Sequence, residues 1–537
     1  MKRAALVLIL AAACAGQIEN ISGGRIRAEV KFLSSDLLEG RGVGTRGGQL
    51  ATESLATQFA LAGAKPAGDD GTYYQKVPLV GVETQPDAQL AAARDGRTVP
   101  LKWLDEFVGS DERLEPEREF DAEAVFVGHG IVAPEYRWDD FKGTDVRGKI
   151  LVLFTNEPES SDPKFFGGRA LTYYGRWTYK YEEALRHGAL GAIIVHTTPT
   201  AGYGWKVVRN SWGREQSYVR LGAAEPALAF AGWVTEEAGG RMLELSGHTV
   251  SELLQAANSR DFRPIPLGIH IQGRLHSKIH DLDTRNLVAK VPGSDPELRS
   301  QAVVFSAHWD HLGVGVPVNG DAIYNGAVDN ATGCGMLVEI ARAWAALEQK
   351  PRRSAIFVAF AAEEGGLRGS EYYAAHPAVP AAKTAAAFNL DGLYPYGRTR
   401  DIVVTGAERT TLWPLIQETA RRFHFEIMPD AEPEQGHYYR SDHFSLAHAG
   451  IPAFSVSEGT EVLGKPAGYG EQISRQFDAK DYHQPSDQFH EDWDFSGLEQ
   501  LARFTLTLGV DTANLDRLPT WNKGDEFLAA REKSGAR

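Results

Sequence analysis

The stretch QAVVFSAHWDHLG at residues 301–313 decides the fold of this 537-residue chain, because an apolar run there ends abruptly in histidines and an aspartate. A second run, RSAIFVAFAAEE at residues 353–364, ends in two glutamates. Runs that are apolar on both faces are typical of central strands in a sheet that helices cover on both sides. The two stretches therefore predict an α/β fold.

Polar residues follow both predicted strands at the point where each strand ends. In an open α/β sheet, ligands bind beside the carboxyl ends of the strands, so residues delivered there from different strands point into one crevice. Three further motifs, GAVDNATG at 326–333, FNLDG at 388–392 and YHQPSD at 482–487, add more such residues. The candidate ligands are His308, Asp310, Asp329, Glu363, Glu364, Asp391 and His483.

These candidates are histidines and carboxylates, which are donors that suit zinc. Two histidines with several carboxylates are too many for one tetrahedral ion, and they fit two ions that share a bridging carboxylate. Each motif alone has a simpler interpretation, namely a surface His/Asp pair, a helix cap, a solvated loop or a turn. Only the five motifs taken in order support a dinuclear metal site.

The order HxD, DN before a helix, EE, NLDG and YHxPSD resembles the M28 family of zinc-dependent exopeptidases. The stretches EVKFLSSDLLEGRGVGTRGGQLATESLATQFALAGAKPAG at 29–68 and RSDHFSLAHAGIPAF at 440–454 also resemble family segments. This resemblance implies a mixed central sheet sandwiched by helices and two zinc ions. One ion would be held by His308, Asp329 and Asp391, and the other by Asp329, Glu364 and His483.

The resemblance also implies roles for the neighbours of these ligands. Glu363 would be the general base, and Asp310 would hold His308 in position, since a ligating histidine normally needs its other ring nitrogen engaged. Asp487 would do the same for His483. The peptide bond between Asp329 and Asn330 is expected to be cis, although such a bond costs roughly 3 kcal/mol.

The activity that the resemblance favours is that of an aminopeptidase, which removes N-terminal residues from peptides. Three alternatives stay open: a carboxypeptidase or dipeptidase of the same family, a glutaminyl cyclase-like transferase with one working zinc, and a receptor-like binding protein with a dead site. All ligand positions and Glu363 are filled, which weakens the dead-site alternative. The length of the chain and its β-rich module weaken the cyclase alternative.

The N-terminal residues 1–15 are typical of a secretory signal peptide, because Lys2-Arg3 precede the apolar run AALVLILAAA and small residues follow it. The run is too short to span a membrane as a mature helix, so we expect export to the periplasm or the medium with no integral membrane span. Lipoprotein anchoring through Cys14 is a less favoured alternative. Without the signal, Cys334 is the only certain cysteine, so disulfides are not expected.

We expect a catalytic domain in two parts, residues 18–118 and 281–520, with two helices between residues 25 and 63. Short β runs between residues 119 and 280, such as GKILVLFT and GAIIVH, resemble a protease-associated (PA) domain inserted between these parts. The charged segment 112–123 is expected to be a solvated linker at the boundary, and residues 521–537 a frayed tail. A Gly-rich loop at 457–481 is expected to deliver His483, and Pro414 to interrupt a helix.

The formal net charge of −15, from 56 basic and 71 acidic residues, argues against a nucleic-acid partner. The family resemblance implies peptides as the substrate. A loop that contains Tyr438, Tyr439, Arg440 and His443 is expected to approach the substrate. These side chains would either contact the substrate or pack over the core, and we assign them no role.

Overall fold

A computed structural model describes residues 20–220 and 226–536, so the expected signal peptide and Cys14 lie outside the described residues. The helices are α1 (Gly23–Leu33), α2 (Arg46–Leu61), α3 (Trp177–Arg186), α4 (Thr198–Ala201), α5 (Trp205–Trp212), α6 (Glu236–Glu244), α7 (Val250–Ala257), α8 (Thr332–Ala346), α9 (Arg368–Ala375), α10 (Trp413–Arg422), α11 (His443–His448), α12 (Tyr469–Lys480), α13 (Ser496–Ala513) and α14 (Leu528–Ser534).

The strands are β1 (Lys65–Pro66), β2 (Tyr74–Thr84), β3 (Gln89–Arg94), β4 (Arg97–Leu101), β5 (Phe107–Ser110), β6 (Glu117–Phe126), β7 (Val132–Ala133), β8 (Trp138–Asp139), β9 (Ile150–Leu153), β10 (Gly191–His196), β11 (Gln216–Val219), β12 (Phe230–Thr235), β13 (Ile265–Val291), β14 (Ala302–His308), β15 (Gly313–Val318), β16 (Asp321–Tyr324), β17 (Ser354–Phe360), β18 (Thr384–Asn389), β19 (Asp401–Thr405), β20 (Glu426–Met428) and β21 (Ala453–Glu458). The chain divides into two compact units. Among the described residues, the first unit comprises those up to Pro78, Leu282–Asp430 and those from Arg440 onwards, and the second comprises those within Leu79–Asp281 and Ala431–Tyr439.

The first unit contains a mixed sheet with the strand order β1-β13-β17-β14-β18-β21-β19-β20. Strands β17, β14, β18 and β21 run parallel, whereas β13 and β19 pair antiparallel with their neighbours in this group. Every residue of β14, β17 and β18 is buried. The sequence therefore predicted the α/β class and the central strands correctly, because apolar residues on both strand faces require cover on both sides.

Helices cover both faces of this sheet. Helices α8 and α13 pack on one face, where α1 and α2 also contact α8, and α11 packs on the other face together with α9. Phe305 of β14 packs between the sheet and helix α8, with its ring centroid 5.4 Å from that of Phe357 in β17 and 5.6 Å from that of Trp344 in α8. Gly509 lets α13 approach, since a Cβ atom at this position would lie 2.3 Å from the Phe305 ring. The predicted helices between residues 25 and 63 are α1 and α2, and both belong to the first unit.

The second unit contains another mixed sheet, with the order β4-β3-β13-β6-β9-β10-β12-β5. It begins at Leu79, about 40 residues before the expected boundary at 119, because β3, β4 and β5 pair within this sheet. The charged segment 112–123 is not a linker. Most of it forms β6, in which exposed acidic residues alternate with more buried ones.

Three other local expectations are wrong. Pro414 does not interrupt a helix but lies in the first turn of α10, where its missing N–H is not needed. Residues 469–480 form α12 within the expected Gly-rich loop. The C-terminal residues are packed, because Trp521 and Arg531 are buried and Arg531 donates hydrogen bonds to the carbonyl oxygens of Ala381 and Pro519.

Within the described ranges we find no helix that combines the length and the apolar character needed to cross a membrane.

Candidate metal centre

The three parallel strands β17, β14 and β18 lie side by side, so their carboxyl ends meet at one edge of the sheet. His308 is the last residue of β14, the pair Glu363 and Glu364 follows β17, and Asp391 follows β18. Asp329 lies in the segment Ala327–Ala331 that leads into α8, and His483 lies in the loop after α12. The structure thus brings the candidate ligands of all five motifs together.

The first donor cluster surrounds the Nε2 atom of His308. This atom lies 3.2 Å from Oδ1 of Asp329 and 3.1 Å from Oδ1 of Asp391. The Nδ1 atom of His308 lies 3.1 Å from the backbone carbonyl oxygen of Asp310. Because a carbonyl oxygen only accepts, Nδ1 carries the proton in the neutral ring, and the Nε2 lone pair faces the two carboxylates. These three side chains can hold a metal ion.

The second donor cluster surrounds the carboxylate of Glu364. Its Oε2 lies 3.1 Å from Nε2 of His483, and its Oε1 lies 2.6 Å from Nδ1 of His311. The other oxygen of Asp329, Oδ2, lies 3.3 Å from Nε2 of His483. Asp329 therefore turns one oxygen towards each cluster, which is the arrangement that a bridging ligand needs.

His311 is a member of this centre that the sequence analysis did not single out, although the residue stands in the quoted motif HWDH. The side chains of His311, Asp329 and Glu364 form a second set that can hold a metal ion. A second histidine three residues after His308 was the available signal. Spacing alone did not assign it, because the turn after β14 directs the two rings to different clusters.

The loop that carries Asp329 is held by Asp487. Its carboxylate accepts hydrogen bonds from the backbone N–H of Val328 at 2.9 Å and of Asp329 at 3.1 Å. We expected Asp487 to orient His483 instead, but its carboxylate contacts this loop. The peptide bond between Asp329 and Asn330 is cis, as predicted. The Asn330 side chain caps the start of α8 by accepting from the N–H of Gly333.

A chain of buried hydrogen bonds holds Asp391. Ser306 donates to Oδ1 of Asn389, Asn389 donates to the hydroxyl of Ser441, and that hydroxyl donates to Oδ2 of Asp391. The Oδ1 atom of Asp391 thus stays directed at His308. The sequence analysis noted the segment around Ser441 but assigned this residue no role.

Asp310 does not orient His308 through its carboxylate as expected. The Oδ1 atom of Asp310 lies 3.9 Å from Nδ1 of His308, which is too far for a hydrogen bond, and it accepts from the backbone N–H of Glu363 at 3.2 Å. Its backbone carbonyl contacts His308, while its carboxylate positions the loop of Glu363. Burial raises the pKa of Asp310 to about 7.

Arg41 links the backbone segments around the centre through hydrogen bonds. Its buried guanidinium donates to the carbonyl oxygens of Leu33, Trp309, Asn325 and Gly326 at distances of 2.6 to 2.8 Å. These contacts join the segment after α1 to the loop of His311 and to the loop of Asp329.

Carboxylates dominate the electrostatics of the centre. Burial alone would lower the pKa of His308, but Asp391, Glu363 and Asp329 outweigh burial and hold this pKa well above its usual range. Burial likewise opposes the charge on His483, yet Glu364 and Asp329 raise its pKa to about 9. Burial raises the pKa of Glu363, with His308 acting in the opposite direction. Protonated histidines thus balance the carboxylates, and divalent cations would balance them equally well.

The residues present fit a metal centre on their own chemistry. Imidazole nitrogens and carboxylate oxygens are the donors that zinc binds, and two sets of three such donors occur here around one shared aspartate. Several polar atoms of the centre are buried without a well-aligned hydrogen bond within the described residues, namely Asp310 Oδ2, Glu364 Oε1 and both ring nitrogens of His311. A bound cation would satisfy such atoms.

The four aromatic and basic side chains left unassigned lie in different places. Tyr438 and Tyr439 are buried in the second unit, where the ring of Tyr439 lies 6.1 Å from that of Tyr173. Arg440 and His443 belong to the first unit, and His443 is buried in α11.

The fold and the centre define an α/β domain with a buried His/carboxylate cluster, a candidate metal site, at the carboxyl edge of its sheet. Residues 286–508 match the family described as Peptidase family M28, so this part of the chain is an M28 peptidase domain. The family resemblance expected from the motifs is thereby confirmed.

A curated protein of known sequence is similar to part of the chain. The chain is 27% identical over 213 residues to Leupeptin-inactivating enzyme 1 of Streptomyces exfoliatus, and the match covers 38% of this chain and 42% of that protein. The chain thus matches less than half the length of this curated relative.

Two solved structures are similar across almost the whole chain. The aminopeptidase from Aneurinibacillus sp. strain AM-1 is 18% identical with a TM-score of 0.51, and 94% of this chain and 96% of that chain are covered. BSAP, a zinc aminopeptidase from Bacillus subtilis, is 15% identical with a TM-score of 0.44, and 95% of this chain and 97% of that chain are covered. The similarity to the first of these structures shows the fold alone.

Proposed function

We propose that the protein is a metallo-exopeptidase that removes N-terminal residues from peptides with a centre of two zinc ions. The observation that carries this proposal is the placement of Asp329, whose two carboxylate oxygens face two separate donor clusters. The ligands proposed for one ion are His308, Asp329 and Asp391, and those for the other are Asp329, Glu364 and His483. The M28 peptidase domain supports peptides as the substrate class.

Glu363 is the proposed general base. Zinc bound in such a centre supplies a Lewis acid that polarises a carbonyl group and lowers the pKa of water. Glu363 follows β17 at the same edge of the sheet and lies near enough to His308 and Asp391 for their charges to shift its pKa. Glu363 accepts a proton from the attacking water and donates it to the amine that leaves. No covalent bond to the protein is needed.

Several residues position these groups. Asp310 holds the backbone of Glu363, Asp487 holds the backbone of Asp329, and Ser441 directs Asp391. Such support keeps reacting groups within the narrow geometry that hydrolysis needs.

The aminopeptidase proposal is tested with purified protein on paired substrates. Aminoacyl amides with a free amino group should be hydrolysed, whereas the same amides with an acetylated amino group should not. Preference for substrates with a free C-terminal carboxylate would instead indicate a carboxypeptidase or dipeptidase. Cyclisation of N-terminal glutamine without peptide hydrolysis would indicate the cyclase, and a protein that binds zinc but turns over none of these substrates would indicate the receptor-like alternative.

We also propose that residues 1–15 direct export and that the second unit is the PA domain. The apolar N-terminal run supports export, and the parallel strands β9, β10 and β12 with helix α3 support the domain assignment. N-terminal sequencing of the protein from culture fractions tests export, because an exported form would lack the first residues.

A further inference from the structure

We propose that His311 is a fourth protein ligand of the ion that Asp329, Glu364 and His483 hold, so that the two metal positions are unequal. The inference rests on the proposed dinuclear centre and adds a residue that the family motifs did not supply. It predicts that one ion is enclosed by protein donors, while the other keeps a position open.

The contacts of Glu364 suggest this role. Its Oε1 lies 2.6 Å from Nδ1 of His311 and its Oε2 lies 3.1 Å from Nε2 of His483, so each oxygen faces one imidazole. Nδ1 of His311 also lies 4.0 Å from Oδ2 of Asp329. Two donors that each lie about 2.1 Å from one zinc ion are at most roughly 4.2 Å apart. The separations of His311 from Glu364 and Asp329 are therefore compatible with one shared ion, and these three side chains form one set that can hold a metal ion.

The surroundings of His311 argue against an ordinary core histidine. The side chain is fully buried; Nδ1 lies 2.6 Å from Oε1 of Glu364 without a well-aligned hydrogen bond, and within the described residues Nε2 has no hydrogen-bond partner. A buried polar group without a good hydrogen bond costs about 1–3 kcal/mol, and a bound ion would accept the lone pair of Nδ1. The backbone of Gly326 packs closely against the ring, because a Cβ atom on Gly326 would lie 2.4 Å from its Cγ atom.

The other metal position has fewer donors. His308, Asp329 and Asp391 supply three atoms there, whereas His483 contacts Asp329 and Glu364 of the other set in addition to His311. Zinc sites with four protein ligands are typically structural and closed, whereas catalytic sites have three and keep one position for solvent or substrate. The geometry points to an ion at His311 that binds first and more tightly, and to an ion at His308 that meets the substrate.

The test compares metal binding by three variants of the full chain with that of the wild type. His311→Leu removes the donor at similar volume, and His311→Asn keeps a weaker donor near the position of Nδ1. His196→Leu is the matched control, because His196 is also buried but lies in the second unit, with its Nε2 2.9 Å from the carbonyl oxygen of Tyr203. Metal-free proteins are titrated with zinc, and X-ray absorption counts the imidazoles around the bound ions.

We expect the first equivalent of zinc on the wild type to have two imidazole ligands. Loss of a residue that contacts only a metal ligand lowers metal affinity ~10- to 100-fold, and His311→Leu should lower the affinity for the first zinc ion by more than that. His311→Asn should have an intermediate affinity, and His196→Leu should bind zinc like the wild type. One imidazole around the first ion, or unchanged zinc affinity in His311→Leu, would overturn this inference and leave the proposed function intact. A wild type that binds no zinc would overturn both. Should His311→Leu fail to fold, the wild-type imidazole count decides.

Discussion

Substitution of the two neighbouring glutamates tests the division of roles in the centre. Glu364 is the proposed ligand, and its oxygens lie 2.6 Å from Nδ1 of His311 and 3.1 Å from Nε2 of His483. Glu363 is the proposed base, and its backbone N–H donates to the carboxylate of Asp310. We therefore expect Glu363→Gln to keep both ions and lose turnover, whereas Glu364→Gln should lose metal together with activity.

The expected magnitudes follow from these roles. Proton transfer by a positioned base contributes ~100- to 10,000-fold, so Glu363→Gln should lower kcat by that factor, or about 3 to 5 kcal/mol in activation free energy. KM should change little, since the side chain keeps its shape. Substitution of Glu364 removes a proposed zinc ligand that also contacts the imidazoles of His311 and His483. Zinc affinity should therefore fall by more than ~100-fold, which exceeds the loss expected when a residue that contacts only a ligand is removed.

The assay combines metal content after gel filtration with kcat and KM on an aminoacyl amide. Glu371→Gln serves as a control for the change from glutamate to glutamine. Glu371 lies in the neighbouring helix α9, and its carboxylate pairs with Arg368. A metal-depleted Glu363 variant beside a metal-replete and inactive Glu364 variant would reverse the two roles. Two variants that stay metal-loaded and active would refute the hydrolytic mechanism itself.

Three further predictions concern stability. Arg41→Met should lower the free energy of unfolding of the first unit in urea by about 3–5 kcal/mol, because four buried carbonyl oxygens lose their hydrogen-bond donor. Unchanged stability would contradict the role of Arg41 in linking these backbone segments. Gly509→Ala should cost ~1–3 kcal/mol through collision with Phe305, and Gly509→Ala combined with Phe305→Leu should recover part of that loss. Burial raises the pKa of Glu29 to about 7, so the folded protein binds this proton more tightly than the unfolded chain, and stability falls as pH rises from 4.5 to about 7. Glu29→Gln should therefore be the more stable protein at pH 8, and its advantage should vanish near pH 4.

The central strands and the convergence of the candidate ligands that follow them were predictable from the sequence because both are local features. An apolar run such as AVVFSAH cannot lie at a surface, and the polar residue that ends it must then lie at the edge of the sheet. Once three parallel strands are neighbours, His308, Glu364 and Asp391 converge without any further information.

The contacts made by loops were not predictable in the same way. Asp487 was expected to orient His483 and instead holds the backbone of Asp329, and His311 was overlooked although it stands next to a candidate. In both cases the role depends on where a turn sends the side chain, and sequence spacing does not encode that direction. The same holds for Trp521, whose burial in the C-terminal segment depends on a tertiary contact with Gly450.

The boundary of the second unit failed for a different reason. The segment around β6 is rich in charge, and charge density suggested a linker. A strand with one solvent-facing side carries charges at every second position, and Glu117, Glu119 and Asp121 have this spacing. Periodicity was therefore the better guide than composition at this point.

The most direct test of the two-ion centre is an anomalous diffraction map of zinc-loaded crystals, measured at the zinc edge. We predict two peaks about 3.5 Å apart, with the carboxylate of Asp329 between them, His308 and Asp391 at one peak, and Glu364, His483 and His311 at the other. A single peak, or two peaks that do not share Asp329, would contradict the account.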